Sequence, residues 1–265
     1  MVKEFNTAQE NEWALILGGS SGLGWASAKK LASHGLNLCI VHRTRRSKLA
    51  DFNTGCEEFR KSGIKVQDFN IDALKAENAQ QVLDFLKEQN AKVRLLLHSI
   101  AKGNLKPLVI SEETKNLSTT DFTLTIEAMA TSLYTWADAV IKSGLFSPQG
   151  TILAFTSEGS TKPAPSYAAV SAAKATLEAL VRSMAFEYAP LGITANCIQA
   201  GVTDTESLQM IPGSDALKEQ ALMRNPFKRL TVPEDVANAV YLLTKDEAKW
   251  INGTVLKVDG GEHLR

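Results

Sequence analysis

A tyrosine and a lysine that could serve one reaction site lie in the stretch SYAAVSAAK, residues 166–174. Tyr167 carries a phenol that can donate a proton or a hydrogen bond, and Lys174 carries an ammonium group. The alanine-rich segment around them predicts a helix. Seven residues turn through about 700° on a helix, so the two side chains share one face to within about 20° and lie about 10.5 Å apart along the axis. They therefore share a side without touching.

A glycine-rich segment, LGGSSGLG at residues 17–24, follows the first apolar run of the chain. Its glycines permit a tight turn from a strand into a helix and let backbone N–H groups approach a pyrophosphate. A plain turn is the alternative. The position between a buried-type strand and a helix favours a dinucleotide site. Its predicted residues are Gly18, Ser20, Ser21, Gly22, Leu23 and Gly24.

The end of the second predicted strand indicates which dinucleotide would bind. An acidic residue there would bind the ribose 2′-OH of NAD. The chain instead reads VHRTRRSK from Val41 to Lys48, with no carboxylate before Asp51. Because arginine offers a charge-assisted fork to phosphate oxygens, His42, Arg43 and their basic neighbours favour NADPH over NADH. A solvated basic loop is the alternative.

Short apolar runs alternate with helical patterns along the whole chain. Strands are predicted at 13–19, 36–42, 64–70, 93–99, 151–157, 193–200 and 254–261, and helices at 22–34, 49–61, 78–89, 122–141 and 166–188. Several strands are apolar on successive residues, as in parallel sheets covered on both faces. The pattern predicts an α/β fold with a single doubly wound parallel sheet, Rossmann-like, with helices on both faces. We expect one domain over residues 1–265, with residues 204–230 as a substrate lid.

Composition narrows the classes of function. Lys plus Arg and Asp plus Glu both number 29, which gives no general reason to bind nucleic acid or an anionic membrane. Three scattered cysteines lack metal-ligand spacing and fit a reducing compartment. No run resembles a signal peptide or a membrane span. We expect a cytoplasmic protein without a bound metal.

Taken together, these motifs resemble the short-chain dehydrogenase/reductase family, over nearly the whole chain. The resemblance also uses Ala200-Gly201 with Thr205 after the sixth strand, and the closing segment VDGG from Val258. It implies further cofactor-binding residues, and the full set beyond the glycine turn and the basic segment is Asn70, Ile71, His98, Ser99, Ile100, Lys174, Gly201, Thr203 and Thr205.

Departures from the usual family pattern point to one branch of it. The residue four before Lys174, where the usual pattern has its tyrosine, is Val170, and the usual Asn-Asn-Ala-Gly is His98-Ser99-Ile100-Ala101. Tyr-x6-Lys together with His-Ser-Ile is similar to the enoyl-acyl-carrier-protein reductases, which reduce a carbon–carbon double bond. The stretch after Gly201 is similar to the NADPH-dependent members of that branch.

This resemblance implies a catalytic set of Tyr167, Lys174 and Ser157. In an enoyl thioester, hydride attacks C3 and negative charge develops on the thioester oxygen, farther away than a ketone oxygen would be. A phenol set back along the helix can meet that oxygen, so Tyr167 would stabilise the enolate. Lys174 would hold the nicotinamide ribose. Ser157 is either catalytic or a loop cap, and His98 is expected to shape the cofactor pocket.

The predicted lid suggests the partners. Its apolar residues could hold an acyl chain or pack as an ordinary helix, and they are Leu208, Met210, Ile211, Leu217, Leu222, Met223 and Phe227. Arg224, Lys228 and Arg229 could meet an acidic acyl carrier protein, or form a solvated face. The family resemblance implies a homotetramer.

Two other functions stay open at this point. The first is a carbonyl reductase or dehydrogenase of the same fold that acts on a 3-ketoacyl, sugar or polyketide substrate. The second is a protein that binds NADP(H) without turnover, which the departures at Val170 and Glu127 allow. The leading hypothesis is NADPH-dependent reduction of an enoyl thioester in fatty-acid biosynthesis.

Overall fold

Seven parallel strands form one sheet in the computed structural model, which describes residues 5, 11–110 and 115–265. The spatial order is β3-β2-β1-β4-β5-β6-β7. The strands are β1 (Glu12–Leu17), β2 (Asn37–His42), β3 (Val66–Asn70), β4 (Lys92–His98), β5 (Phe146–Thr156), β6 (Thr194–Ala200) and β7 (Val255–Val258). Sequence order reverses direction between β1 and β4, which is the doubly wound arrangement. The predicted fold class is confirmed.

The helices of the described chain cover both faces of this sheet. They are α1 (Gly22–Ser33), α2 (Arg46–Lys61), α3 (Ala76–Glu88), α4 (Thr119–Ile126), α5 (Ser132–Lys142), α6 (Ala168–Glu187), α7 (Glu206–Gln209), α8 (Ser214–Arg224) and α9 (Pro233–Thr244). Alternate residues of β1 point to opposite faces. Trp13 and Leu15 pack in a core cluster with residues of α3, α5 and α6, while Ala14 and Ile16 pack in a second cluster with α1, α2 and α9.

The observed helices differ from the sequence-based predictions in several places. Helix α9 was not predicted, although Pro233 at its first turn and its apolar face are ordinary helix signals, and it packs against α1. The predicted helix 122–141 is two α-helices joined by a π-helical turn, Glu127–Thr131. Helix α6 begins at Ala168, two residues later than predicted, because Ser166 adopts a positive φ of 57°.

That later start changes the placement of the predicted catalytic tyrosine. Tyr167 is the N-cap residue of α6 rather than a residue inside the helix, and its carbonyl accepts from the N–H of Ser171 at 2.8 Å. Lys174 lies two turns into the helix. Both residues are thus attached to one helix, and the common face expected from regular helical spacing stays a prediction, because Tyr167 precedes the first helical residue.

No helix among the described residues is both long enough and apolar enough to cross a membrane.

Candidate active site

A cavity of about 1240 Å³ opens at the carboxyl ends of the central strands. Its walls come from the turn after β1, the segment after β2, the end of β5, the start of α6, the end of β6 and the two lid helices α7 and α8. Ligands of open parallel sheets bind at this edge, where the strand order reverses. Of the predicted site residues, those that line the cavity are Ser20, Ser21, Leu23, Arg43, Ser157, Tyr167, Lys174, Gly201, Thr203 and Thr205.

The glycine turn has the shape that a pyrophosphate site needs. Gly18 has φ of +83°, and a Cβ added there would lie 2.5 Å from the carbonyl oxygen of Ser99. A Cβ on Gly24 would lie 2.4 Å from the carbonyl oxygen of Gly18. Only glycine permits this close packing of the turn against α1 and the end of β4. The residues present therefore fit a dinucleotide at the N-terminus of α1.

The segment after β2 forms a basic end of the cavity, which we define as Arg43, Arg45 and Lys48. Arg43 contacts Asp72 at 3.1 Å, and its side chain is 59% exposed. Lys48 forms an ion pair with Glu206 of the lid. These cations are free to reorient toward a phosphate, since exposed ion pairs are weak.

The His42 side chain is not part of this basic end of the cavity. Its side chain is buried, with Nε2 3.3 Å from Asp68 and Nδ1 2.7 Å from the hydroxyl of Thr44. It also packs against the ring of Phe52. The prediction that His42 binds the cofactor is therefore wrong for its side chain, because Asp68, Thr44 and Phe52 hold the ring in the core.

Several other predicted cofactor residues frame the cavity without lining it. Asn70 donates to the carbonyl of Thr44 at 3.1 Å, and Ile71 packs against a core cluster. The predicted residues outside the cavity wall are Gly18, Gly22, Gly24, His42, Asn70, Ile71, His98, Ser99 and Ile100. Apart from His42, their part in cofactor binding stays a prediction.

His98 is locked beneath the site. Its Nε2 lies 2.8 Å from the hydroxyl of Ser132, which itself donates to the carbonyl of Ala128, so Nε2 carries the ring proton. Burial lowers the pKa of His98 to about 3, and the nearby Lys174 adds to that shift. The ring is neutral and cannot act as a general acid near neutral pH. A structural role agrees with this geometry.

Tyr167 and Ser157 meet at the end of β5. A Cβ added to Gly159 would lie 2.5 Å from the Tyr167 ring and 3.3 Å from Oγ of Ser157, so the loop 157–159 packs directly on the phenol. Burial raises the pKa of Tyr167, and the Ser157 hydroxyl partly offsets that rise. Oγ of Ser157 is buried and makes no hydrogen bond of regular geometry. The Ser157 hydroxyl thus lies directly beside the phenol of Tyr167.

Lys174 is buried and donates from Nζ to the carbonyl of Phe155 at 2.7 Å. Burial lowers its pKa to about 8, while Cys197 and Glu178 act in the opposite direction. The pKa of Tyr167 is shifted by burial and by the Ser157 hydroxyl. The ammonium of Lys174 is engaged by the carbonyl of Phe155 instead.

A small apolar cluster packs near the start of α6. Val170 packs with Met129 and Ala173, and the ring of Tyr167 lies against this cluster. A Cβ on Gly103 would lie 2.6 Å from a methyl group of Val170. The residue four before the lysine therefore stabilises the packing and has no polar function.

The predicted lid contributes both apolar and charged residues. Leu208, Met210, Ile211, Leu217 and Met223 line the cavity, whereas Leu222 and Phe227 do not. Thr205, at the start of the lid, caps α7 by accepting from the N–H of Leu208 at 3.3 Å.

The three basic residues at the end of the predicted lid do not share one surface. Arg224 points inward, with Nη1 3.0 Å from Glu158 and Nη2 2.9 Å from Glu262. Arg229 is exposed and paired with Asp235, and the exposed Lys228 donates to a backbone carbonyl. A carrier contact through Arg224 is therefore wrong, and one through Lys228 and Arg229 stays a prediction.

Glu158, Arg224 and Glu262 form a charged wall that the sequence analysis missed; we call it the Arg224 network. Glu158 also pairs with Lys162, and Oε2 of Glu262 accepts from the N–H of Val202 at 3.1 Å. The network connects the loop after β5, helix α8 and the C-terminal turn through ion pairs. Three distant segments meet here, so no local pattern could have predicted it. Asp259, by contrast, fixes the C-terminal turn by accepting from the N–H of Gly261.

The fold, the glycine turn and the tyrosine–lysine pair define an NAD(P)-dependent oxidoreductase. Residues 18–263 match the profile of a family described as enoyl-(acyl carrier protein) reductase. The chain belongs to this family of short-chain dehydrogenases/reductases.

Similar proteins carry two different activities in their names. The chain is 28% identical to the 3-oxoacyl-[acyl-carrier-protein] reductase FabG of Chlamydia trachomatis, over 95% of this chain and 97% of that protein. It is also 28% identical to enoyl-[acyl-carrier-protein] reductase [NADH] 2 of Rhizobium meliloti, over 98% and 94%. Among solved structures, the enoyl-[acyl-carrier-protein] reductase (NADH) of Aquifex aeolicus superposes with a TM-score of 0.81, at 26% identity and coverage of 97% and 98%.

Proposed function

We propose that the protein reduces the trans-2 double bond of an enoyl thioester with NADPH. The observation that carries the proposal is the separation of Tyr167 from Lys174. A carbonyl reductase of this fold would use the ammonium to lower the pKa of a neighbouring phenol. Here the pKa of Tyr167 is raised by burial, and Lys174 donates elsewhere.

A protonated, buried phenol suits an enolate better than a ketone. NADPH bound in the cavity would supply the hydride that adds to C3 of the substrate. Tyr167 then donates a hydrogen bond or its proton to the thioester oxygen as negative charge develops there. Ser157 lies beside the phenol with a free hydroxyl and can donate to the same oxygen.

The remaining residues bind and orient. Lys174 lines the cavity and can hold ribose hydroxyls once its bond to the carbonyl of Phe155 is exchanged. The apolar lid residues Leu208, Ile211 and Leu217 cover the cavity and can exclude water from the acyl chain.

The proposed preference for NADPH over NADH is based on the basic end of the cavity. Arg43, Arg45 and Lys48 line the cavity where the adenosine ribose of a dinucleotide would lie. Arginine forks are well suited to a 2′-phosphate. The Rhizobium meliloti relative is named for NADH, so cofactor preference must be measured for this chain.

A 3-ketoacyl thioester is the second candidate substrate. The contact between Ser157 and Tyr167 favours it, because two hydroxyls at one point can bind a ketone oxygen. The similarity to a 3-oxoacyl reductase supports the same alternative.

The experiment offers crotonyl and acetoacetyl thioesters to the purified protein with NADPH and follows the nicotinamide absorbance. We expect turnover of the crotonyl thioester to dominate. Tyr167→Phe should lower its kcat by about 10²–10³, since one oxyanion donor is removed. Tyr134→Phe, on an exposed residue of α5, is the matched control.

Measuring cofactor affinity distinguishes a variant that has lost catalysis from one that has lost its fold. Tyr167→Phe should bind NADPH as tightly as the unchanged protein, measured by fluorescence titration. Preferred turnover of the acetoacetyl thioester would replace the enoyl assignment with the ketoacyl one. Full activity of Tyr167→Phe toward the crotonyl thioester would show that the phenol takes no part in the reaction.

A further inference from the structure

Two charged side chains one helical turn apart on α6 both contact the end of β5. Nζ of Lys174 donates to the carbonyl of Phe155 at 2.7 Å. Four residues later, Oε1 of Glu178 accepts from the hydroxyl of Thr156 at 2.6 Å. Residues at i and i+4 are neighbours on a helix surface. The two side chains therefore hold consecutive residues of the strand that leads directly into Ser157.

The ammonium of Lys174 needs a counter-charge because it is buried. The residue is only 7% exposed, and burial lowers its pKa to about 8. A buried cation is stable only when it is paired with a negative charge and hydrogen-bonded. The carbonyl of Phe155 supplies a hydrogen bond but no negative charge. The counter-charge therefore comes from a nearby acidic side chain.

Glu178 is the acidic side chain that meets this requirement. Against the effect of burial, Cys197 and Glu178 both act to raise the pKa of Lys174. Burial raises the pKa of the Cys197 thiol to about 12, so the thiol is neutral near neutral pH and cannot supply the charge. The ring of His98, at the end of β4, is neutral as well. The carboxylate of Glu178 remains.

Other charged groups on α6 and on the elements packed against it are engaged elsewhere or face solvent. Asp121 of α4 forms an ion pair with Lys106. Glu158, in the loop after β5, belongs to the Arg224 network. The exposed charged residues of the π-helical turn and of α6 are Glu127, Arg182 and Glu187. Glu178 is thus the carboxylate placed to balance Lys174.

We propose that Glu178 is a positioning residue that keeps Lys174 charged and available to the ribose of the bound cofactor. The inference rests on the ribose-binding role given to Lys174 in the proposed function. Glu178 itself is not part of the cavity wall, so it acts through Lys174. Its bond to Thr156 holds the carboxylate in place when Lys174 exchanges the carbonyl of Phe155 for a ribose hydroxyl.

The test uses Glu178→Gln, which keeps an oxygen for the Thr156 hydroxyl but removes the charge. NADPH affinity is measured by fluorescence titration at a series of pH values around neutrality. Removing an opposite charge disfavours the ammonium, so the affinity of the variant should begin to fall at a lower pH. A midpoint lowered by about one pH unit corresponds to an affinity about threefold weaker at about pH 7.5.

Three further variants separate the charge from a structural effect. Glu178→Asp keeps the carboxylate and should keep the midpoint near that of the unchanged protein. Glu187→Gln makes the same substitution at an exposed position of the same helix and should have no effect. In a Lys174→Met background, Glu178→Gln should not weaken NADPH further, because its action passes through the lysine.

The pKa of Lys174 is also measured directly, by NMR titration of isotope-labelled lysine Cε in protein without added cofactor. The signal of Lys174 is assigned by its absence from Lys174→Met. We expect a lower pKa in Glu178→Gln than in the unchanged protein. The spectrum of the other lysines shows whether the variant is folded.

The outcomes distinguish this inference from the proposed function. An unchanged pKa of Lys174 in folded Glu178→Gln, or an equal loss of NADPH affinity in the Lys174→Met background, would overturn the role of Glu178. A lowered pKa with unchanged NADPH affinity would keep Glu178 as the counter-charge and reject the ribose role of Lys174. Neither measurement depends on reduction of a thioester.

Discussion

The two ends of the cavity use charge in different ways. At the basic end, the side chains of Arg43 and Lys48 are 59% and 55% exposed and each pairs with one carboxylate. In the Arg224 network, the guanidinium is 28% exposed and the Glu262 side chain only 5%. Exposed cations can turn toward a ligand, whereas a shielded network fixes the protein itself. We therefore expect the charges at the basic end to bind a ligand, whereas those of the Arg224 network position parts of the protein.

The largest expected effect is a difference in protein stability between variants at the two ends of the cavity. Arg224→Ala should lower the free energy of unfolding by about 2 kcal/mol, because it leaves Glu158 and Glu262 without their shared cation. Chemical denaturation measures this change. Arg43→Ala should cost less than about 0.5 kcal/mol in the same experiment, as its pair is exposed. Equal losses at the two ends would remove the distinction.

The pH dependence of that loss identifies the carboxylate responsible. Burial already raises the pKa of Glu262, and without Arg224 it should rise further. A carboxyl whose folded pKa lies above its unfolded pKa contributes stability at low pH that is lost as pH rises. The Arg224→Ala deficit should thus be larger at pH 8 than at pH 5.

The next effect tests ligand binding at the basic end. Replacing Arg43 and Arg45 together with alanine should weaken NADPH about tenfold, since charge-assisted bonds to the 2′-phosphate are lost. NADH affinity should change little, because NADH has no phosphate there. Fluorescence titration of both cofactors measures this. Equal weakening of both would mean that the arginines act on the shape of the site.

The smallest effect concerns Lys174, which belongs to neither end. Its pKa is lowered by burial to about 8, so the ammonium loses its proton as pH rises through that value. NADPH affinity should therefore fall several-fold between pH 7 and pH 9 if the charge holds the ribose. Lys174→Met should bind NADPH weakly and show a flat profile over the same range. A persistent pH dependence in Lys174→Met would assign it to another group.

Local signals were sufficient for most of the fold. Successive apolar residues in β1, β2 and β4 identified buried parallel strands, and the glycines at 18, 22 and 24 identified the turn. Two details of the helices were not predicted from the sequence, because they depend on packing. The π-turn at Glu127–Thr131 and the start of α6 after Ser166 have no distinct local pattern.

The candidate site was predictable only where its residues are close in sequence. Tyr167 and Lys174 lie at the N-cap and in the second turn of one helix, so their spacing alone indicated that one element carries both. His42 was misplaced because sequence places it beside Arg43 and cannot tell which of the two turns into the core. Arg224 was assigned to the surface for the same reason, since its partners lie 66 and 38 residues away.

Local patterns were enough to predict the sheet, the glycine turn and the placement of Tyr167 and Lys174 on one helix, because each depends on the geometry of a few neighbouring residues. Which charges face the cavity and which face one another depends on the packing of the folded chain. That distinction arises when segments distant in the chain exclude water from some ion pairs and leave others exposed.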